Sequence, residues 1–258
     1  MILAMDDATL ANRLQAGMKH FYRVLGSASP SARVVEADGV LACFVPVARE
    51  RSYPNAVLYD DATALARAYP ALEAAYAEAG VRAWTVWVPA GDEQAIGFLR
   101  MRGHVHDAAP TAMARELTGV ARPPAGTLDE WTSAGDPATL GVLNDRAYAF
   151  GDRAFEQAYA NAHSADSRVY VGSVGGTAVT CLCASWHDAN CAIDAVATTP
   201  EARGSGLSGQ LLAHALVDAA ESGATTTTLI ATALGRPVYE RAGYRSIGTR
   251  EMWERRAR

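Results

Sequence analysis

Three features in the second half of this 258-residue chain can handle anions or protons: a glycine loop, a tyrosine and a carboxylate. The loop is Arg203, Gly204, Ser205, Gly206, Leu207 and Ser208, entered from an apolar run over 192–197 and followed by Gly209-Gln210-Leu211-Leu212. Strand, glycine turn and helix in that order put unpaired backbone N–H groups and about half a positive charge at the helix start. Glycine lets a phosphate approach those groups closely. The loop therefore reads as a pyrophosphate cradle. Tyr239 carries a phenol, a weak acid with an ordinary pKa of about 10. Asp194 stands between Cys191-Ala192-Ile193 and Ala195-Val196, where an unpaired charge is costly.

Two other phosphate loops fail on named residues. A P-loop ends in Gly-Lys-Ser/Thr so that a lysine meets the terminal phosphates, but Gly206 is followed by Leu207 and Ser208. A dinucleotide fold requires an acidic ribose ligand about 20 residues past its glycines. Here Glu221 is followed by Ser222-Gly223-Ala224 and four threonines.

The run Ala195 to Leu207, with its Val196-Ala197, Pro200-Glu201 and Arg203-Gly204-Ser205-Gly206, resembles motif A of the GNAT N-acetyltransferases. That motif reads Arg/Gln-x-x-Gly-x-Gly/Ala, and its aligned positions are Arg203, Gly206 and Ser208. Ser208 departs from the usual glycine or alanine, though serine is small and can cap a helix or bond a phosphate. Thr232 to Tyr244, which contains Val238-Tyr239-Glu240 and Gly243-Tyr244, resembles the family's fourth helix and the strand after it.

The resemblance implies an acetyl-CoA-dependent N-acetyltransferase acting on a primary amine of a small molecule by direct attack through a tetrahedral intermediate. Acetyl-CoA would be the cosubstrate, with no metal. Backbone N–H groups of Gly204 to Ser208 would take its pyrophosphate, with Arg203 adding charge. Val196, Ala197 and Thr198 would bond the pantetheine and the thioester oxygen. Tyr239 would be the general acid for the departing thiolate, and Asp194 the carboxylate that deprotonates the ammonium. Each has a second reading: Tyr239 as a packing tyrosine, Asp194 as a paired structural carboxylate. The alternative function is a CoA-binding sensor or pseudo-enzyme without turnover.

These residues need elements to hold them. The second half reads as strand Thr127 to Trp131, helices Pro137 to Phe150 and Asp152 to Ala160, and strands Arg168 to Val174, Thr177 to Trp186 and Cys191 to Thr198. Helix Leu207 to Ser222, strand Thr226 to Ala231, short helix Arg236 to Ala242 and closing strands around Tyr244 to Ile247 and Glu251 to Trp253 follow. The first half repeats the order: helix Thr9 to Leu25, strands Ser31 to Ala37, Val40 to Val45 and Ala56 to Tyr59, helix Thr63 to Glu78, strand Ala83 to Val88, helix Glu93 to Met101 and strand Met113 to Leu117. Gly103 takes the place of Gly243, and Leu99 that of Tyr239, while Asp60-Asp61-Ala62 stands where the glycine loop would be.

The reading is an α/β chain (an α+β mixed sheet) of two tandem GNAT-like domains. Residues 1–122 form a degenerate, non-catalytic domain and 124–258 the catalytic one, joined at Pro123-Pro124-Ala125-Gly126. A monomer with an internal pseudo-dimer, or a homodimer, is expected. The formal net charge of −5 favours cationic acceptors and argues against nucleic-acid binding. No apolar run of membrane-spanning length occurs and Met1 to Asp7 lacks a signal pattern, so a cytoplasmic location without a membrane partner is expected. Cys43, Cys181, Cys183 and Cys191 lack zinc spacing and read as reduced core residues. His187 is the histidine with a case for the acceptor site, and Tyr148, Phe150, Phe155 and Tyr159 read as helix core or acceptor lining.

Overall fold

Aspartates start the helices of the first half. Asp6, Asp61 and Asp92 each accept a backbone N–H in the first turn of α1 (Asp7–Leu25), α2 (Ala62–Glu78) and α3 (Glu93–Met101), which satisfies donors that a helix start otherwise leaves unpaired. The strands between them are β1 (Arg33–Ala37), β2 (Val40–Phe44), β3 (Ala56–Tyr59), β4 (Ala83–Pro89), β5 (Val105–Ala108) and β6 (Thr111–Glu116). Asp38 and Gly39, both at positive φ, turn the β1–β2 hairpin. The computed structural model describes residues 5–257 except 124, 125 and 127. Pro124 and Ala125 of the expected linker, Thr127 at the head of an expected strand, and Met1 to Ala4 lie outside the described residues.

The second half runs β7 (Glu130–Thr132), α4 (Pro137–Ala147), α5 (Ala154–Tyr159), β8 (Ser167–Val174), β9 (Thr177–His187), β10 (Asn190–Thr198), α6 (Leu207–Glu221), β11 (Thr226–Ala231), α7 (Arg236–Arg241) and β12 (Arg245–Arg256). Asp145 on α4 caps its neighbour by accepting from Phe155 N at 3.0 Å and Glu156 N at 2.9 Å. The two helices touch at Gly141, where a Cβ would stand 2.5 Å from the Phe155 carbonyl. Only glycine fits that crossing.

The strands form one mixed sheet, in the order β1-β2-β3-β4-β12-β6-β11-β10-β9-β8-β7, with β5 paired to β12. The centre of that order is an exchange. Strand β6 of the first half pairs β11 along its whole length, Thr226 against Glu116 through Ala231 against Thr111. Strand β12 pairs β6 over Arg245 to Thr249 and then β4 over Arg250 to Arg256. The halves on either side of residue 123 thus each lend a closing strand to the other. Two closing strands were expected from sequence at 244–247 and 251–253; they form one, and its register against β6 shifts at Gly248, whose φ is 134°.

Three apolar clusters hold this sheet. One lies under α2 and α3, with Leu65, Tyr69, Trp84 and Trp253. A second lies under α6, with Leu211, Leu216, Ile193 and Tyr244. The third occupies the face covered by α1, α4 and α5 and draws on both halves: Phe21, Tyr22, Cys43, Trp87, Phe155, Cys181 and Met252. All four cysteines are buried and free.

Candidate active site

Gly206 starts α6 at φ 77° with no side-chain cap, and Gly204 precedes it at φ 81°. Both values favour glycine strongly, since another residue would cost about 1–2 kcal/mol. Among the described residues no side-chain cap takes the first N–H groups, so the helix start is left to bond an anion. Arg203 is exposed and fixes the loop from beneath: Nη2 donates to the Ala147 carbonyl at 2.6 Å and Nε to the Thr198 carbonyl at 3.3 Å. It ties the end of α4 to the end of β10, and Arg146 pairs with Glu201 alongside.

Strand β10 is what opens the cleft. Its parallel ladder with β11 runs from Asn190 against Thr226 to Ile193 against Leu229 and goes no further. On the other edge Asp194 pairs with Cys183 and Ala197 with Cys181, so one extra residue is inserted in β10. Ala195 takes the strain, with φ 51°. Asn144, buried on α4, donates to the Ala195 carbonyl at 3.0 Å and to Leu140 at 2.9 Å, while Thr180 donates to Ala197 at 3.1 Å. Neither Asn144 nor the bulge is visible in a single sequence: a lone Asn in a helix has many uses, and alanine carries no bulge signal.

A cavity of about 810 Å³ follows this opening. It is lined by Asp194 to Thr198, by Arg203, Gly204, Gly206, Leu207 and Ser208, and by Tyr239. The sequence-expected residues therefore meet in one space. Ser205 is exposed on the same loop and is not among the lining residues. A smaller cavity of about 320 Å³ reaches Gly206 and Ser208 from the other side, between Arg115, Val238 and Arg241.

Asp194 is unpaired. Among the described residues no cation faces it, Oδ2 is buried without a hydrogen-bond partner, and burial pushes its carboxyl up to about 7. The paired arrangement of a structural carboxylate is absent. Tyr239 is buried on α7 against Tyr244, with ring centroids 5.9 Å apart. Burial first, then the nearby Tyr148 and Asp194, push its phenol well above its ordinary value.

Other parts of the lining were not singled out by sequence. Phe21, Tyr22, Tyr53 and Trp87 come from the first half, and Met252 and Glu254 from the exchanged end of β12. Of the aromatic residues that the sequence read as helix core or acceptor lining, Tyr148, Phe150 and Phe155 line the cavity, whereas Tyr159 packs behind Phe155 at 5.8 Å. His187 lies away from the cavity, 6.2 Å from the His20 ring and 3.4 Å from Asp188.

Residues 165–246, which carry the bulged strand, the glycine loop and Tyr239, match the family model described as the acetyltransferase (GNAT) domain. This segment is a GNAT acetyltransferase domain. The whole chain has the fold of solved GNAT proteins. It is similar to a GCN5-related N-acetyltransferase from Kribbella flavida, with 16% identity over 96% of each chain and a TM-score of 0.68. A GCN5-related N-acetyltransferase from Sphaerobacter thermophilus gives 14% identity, 98% and 94% coverage and a TM-score of 0.58. A tandem GNAT protein from the clavulanic acid biosynthesis pathway gives 15% identity over 95% of each chain and a TM-score of 0.51. Among curated proteins no sequence matches the chain.

The elements in the same order in the first half differ at each of these points. Asp61 caps α2 by accepting from Ala64 N at 2.8 Å, the place that Gly206 leaves bare on α6. The parallel ladder of β3 and β4 stops at Val57, but Gln15 donates to the Tyr59 carbonyl at 3.1 Å and the Tyr59 hydroxyl donates to Asp92 at 2.7 Å. Leu99, fully buried, stands where the GNAT domain has Tyr239.

Proposed function

We propose that the chain is an acetyl-CoA-dependent N-acetyltransferase that acetylates the primary amine of a small molecule in the cavity between its halves. The observation that carries this reading is the uncapped start of α6 opening into the same cavity as the splayed strand, Asp194 and Tyr239. Backbone N–H groups from Gly204 to Ser208 take the pyrophosphate, and Arg203 holds their loop in place. The pantetheine runs along Val196, Ala197 and Thr198, and the thioester oxygen takes a backbone N–H near Val196. The smaller cavity, with Arg115 and Arg241, receives the nucleotide end.

Asp194, near pH 7 in its titration, takes a proton from the arriving ammonium. The neutral nitrogen attacks the thioester carbonyl, the N–C bond forms, and the C–S bond breaks as the tetrahedral intermediate collapses. The sulfur leaves with a proton from the Tyr239 phenol, which regains one from the amine nitrogen, now an amide. Because its pKa is raised, Tyr239 stays protonated throughout the neutral range and serves as the donor at each turnover. The first half binds no acetyl-CoA in this reading; its α1 and exchanged strand build the acceptor wall, which makes the molecule an internal pseudo-dimer. Among the described residues no helix is long and apolar enough to cross a membrane, and no cluster of His, Cys, Asp and Glu is placed to hold a metal ion.

The test is thiol release from acetyl-CoA in the presence of a mixed set of primary amines. Release that depends on amine and is lost in Asp194→Asn supports transfer. Tight acetyl-CoA binding without amine-dependent release would favour the sensor reading.

A further inference from the structure

The acceptor end of the cavity is walled by rings. Tyr53, on the loop before β3, is the hub: its ring lies 6.2 Å from Phe21, 6.3 Å from Tyr22, 6.2 Å from Trp87 and 6.2 Å from Phe155. All five line the cavity. Two of their polar edges are already used, because Trp87 Nε1 donates to the Tyr22 hydroxyl at 2.8 Å and that hydroxyl donates to the Tyr53 carbonyl at 2.9 Å. What remains for a ligand is ring face, ring edge and the Tyr53 hydroxyl.

The charges of this wall are largely spent as well. Glu254 takes both Arg256 Nε at 2.8 Å and Nη2 at 2.9 Å, and Arg51 pairs with Asp152 at 2.8 Å while lying 3.9 Å over the Phe150 ring. Asp194 is half-buried, and among the described residues its Oδ2 is the buried carboxylate oxygen without a hydrogen-bond partner. Asp194 and the ring cluster of Phe21, Tyr22, Tyr53, Trp87 and Phe155 line the same cavity. A ligand that brings its ammonium to Asp194 therefore lays the rest of its body among these rings. Ring faces also attract the cation on its way in.

We propose that the acceptor is a primary amine carried by a short alkyl arm on an aromatic ring, and that Tyr53 is the residue that sets this preference. The inference rests on the acetyl-transfer reading of the same cavity. A polyamine would lay its chain and second ammonium among rings beside Glu254, which is already paired, with the exposed Asp107 as the remaining lining carboxylate, and an aminosugar would exchange water for ring faces that cannot bond most of its hydroxyls. An arylalkylamine needs one carboxylate and an aromatic lining, which is what this chamber offers.

The experiment measures thiol release from acetyl-CoA by the full chain with phenethylamine, tryptamine, cadaverine and glucosamine, with acetyl-CoA binding followed by calorimetry. Arylalkylamines are expected to exceed the other two by at least about tenfold in kcat/KM. Tyr53→Ala is expected to raise KM for phenethylamine by about tenfold with the acetyl-CoA KM unmoved, and Tyr53→Phe to restore it. Cadaverine or glucosamine preferred over both arylalkylamines by the wild-type chain overturns this inference and leaves the acetyltransferase reading standing. Absence of acetyl-CoA binding overturns both. The wild-type preference needs no variant, so a misfolded Tyr53→Ala protein does not remove the test.

Discussion

Asn144 on α4 donates to the carbonyl of Ala195 at 3.0 Å, and this one bond ties the helix above the cleft to the strained residue that opens it. Ala195 sits at φ 51° inside β10, a conformation alanine adopts only where its surroundings impose it. Asn144→Ala removes the amide donor and leaves the part-buried Ala195 carbonyl with only the weak Cys181 thiol as donor, at 3.8 Å. A loss of about 1–3 kcal/mol in urea unfolding is expected, together with a fall in kcat larger than any change in acetyl-CoA affinity, because the proposed acetyl-CoA pose puts the thioester at the bulge. A variant with wild-type kcat would show that the bulge holds its shape without Asn144.

Asp194 couples activity to stability through its proton. The unfolded carboxyl titrates near its ordinary 3.8, the folded one near 7. Between those values the folded chain holds the extra proton, so this group's contribution falls as pH rises, and its full cost is present above 7. Asp194→Asn is therefore expected to gain stability relative to wild type between pH 5 and pH 8, by about 2 kcal/mol, while losing acetyl transfer. Wild-type kcat/KM is expected to rise with pH through about 7 as the base ionises. Parallel pH–stability curves for the two proteins would remove the buried charge from the account.

Tyr239→Phe keeps the ring packed on Tyr244 and removes only the hydroxyl. It is expected to lower kcat by about 10²–10⁴-fold with little change in thermal stability or acetyl-CoA binding. A near-wild-type rate would leave Tyr239 as a packing residue.

That the glycine loop, Tyr239 and Asp194 line one cavity was expected from the resemblance of their local segments to a family motif, and their proposed roles rest on that resemblance. The hairpin at Asp38-Gly39 and most helices were legible because caps and turns act within four residues. The partner of β6 was not. Nothing within Thr111–Glu116 states that it pairs β11, because register across a sheet centre is set by long-range packing of alternate faces. The aromatic wall of the cavity was missed for a related reason: Phe21, Tyr53 and Trp87 are far apart in sequence, and Met252 reaches them only on the exchanged strand.

The exchange has its own consequence. Residues 1–122 expressed alone would lack the β12 segment that covers β4, and residues 124–258 alone would lack β6 beside β11. Each is expected to be unfolded or aggregated by circular dichroism and gel filtration, and the two co-expressed to recover a 1:1 complex. Independent folding of either segment would contradict the exchange.

The most direct test of the account is calorimetric titration of acetyl-CoA into the full chain and into Gly206→Glu, with Gly206→Ala as the control for backbone strain at φ 77°. One site per chain is expected in the wild type, retained with weaker affinity in Gly206→Ala and lost when a carboxylate occupies the helix start. Two sites per chain, or binding undiminished in Gly206→Glu, would contradict a single cradle at the start of α6.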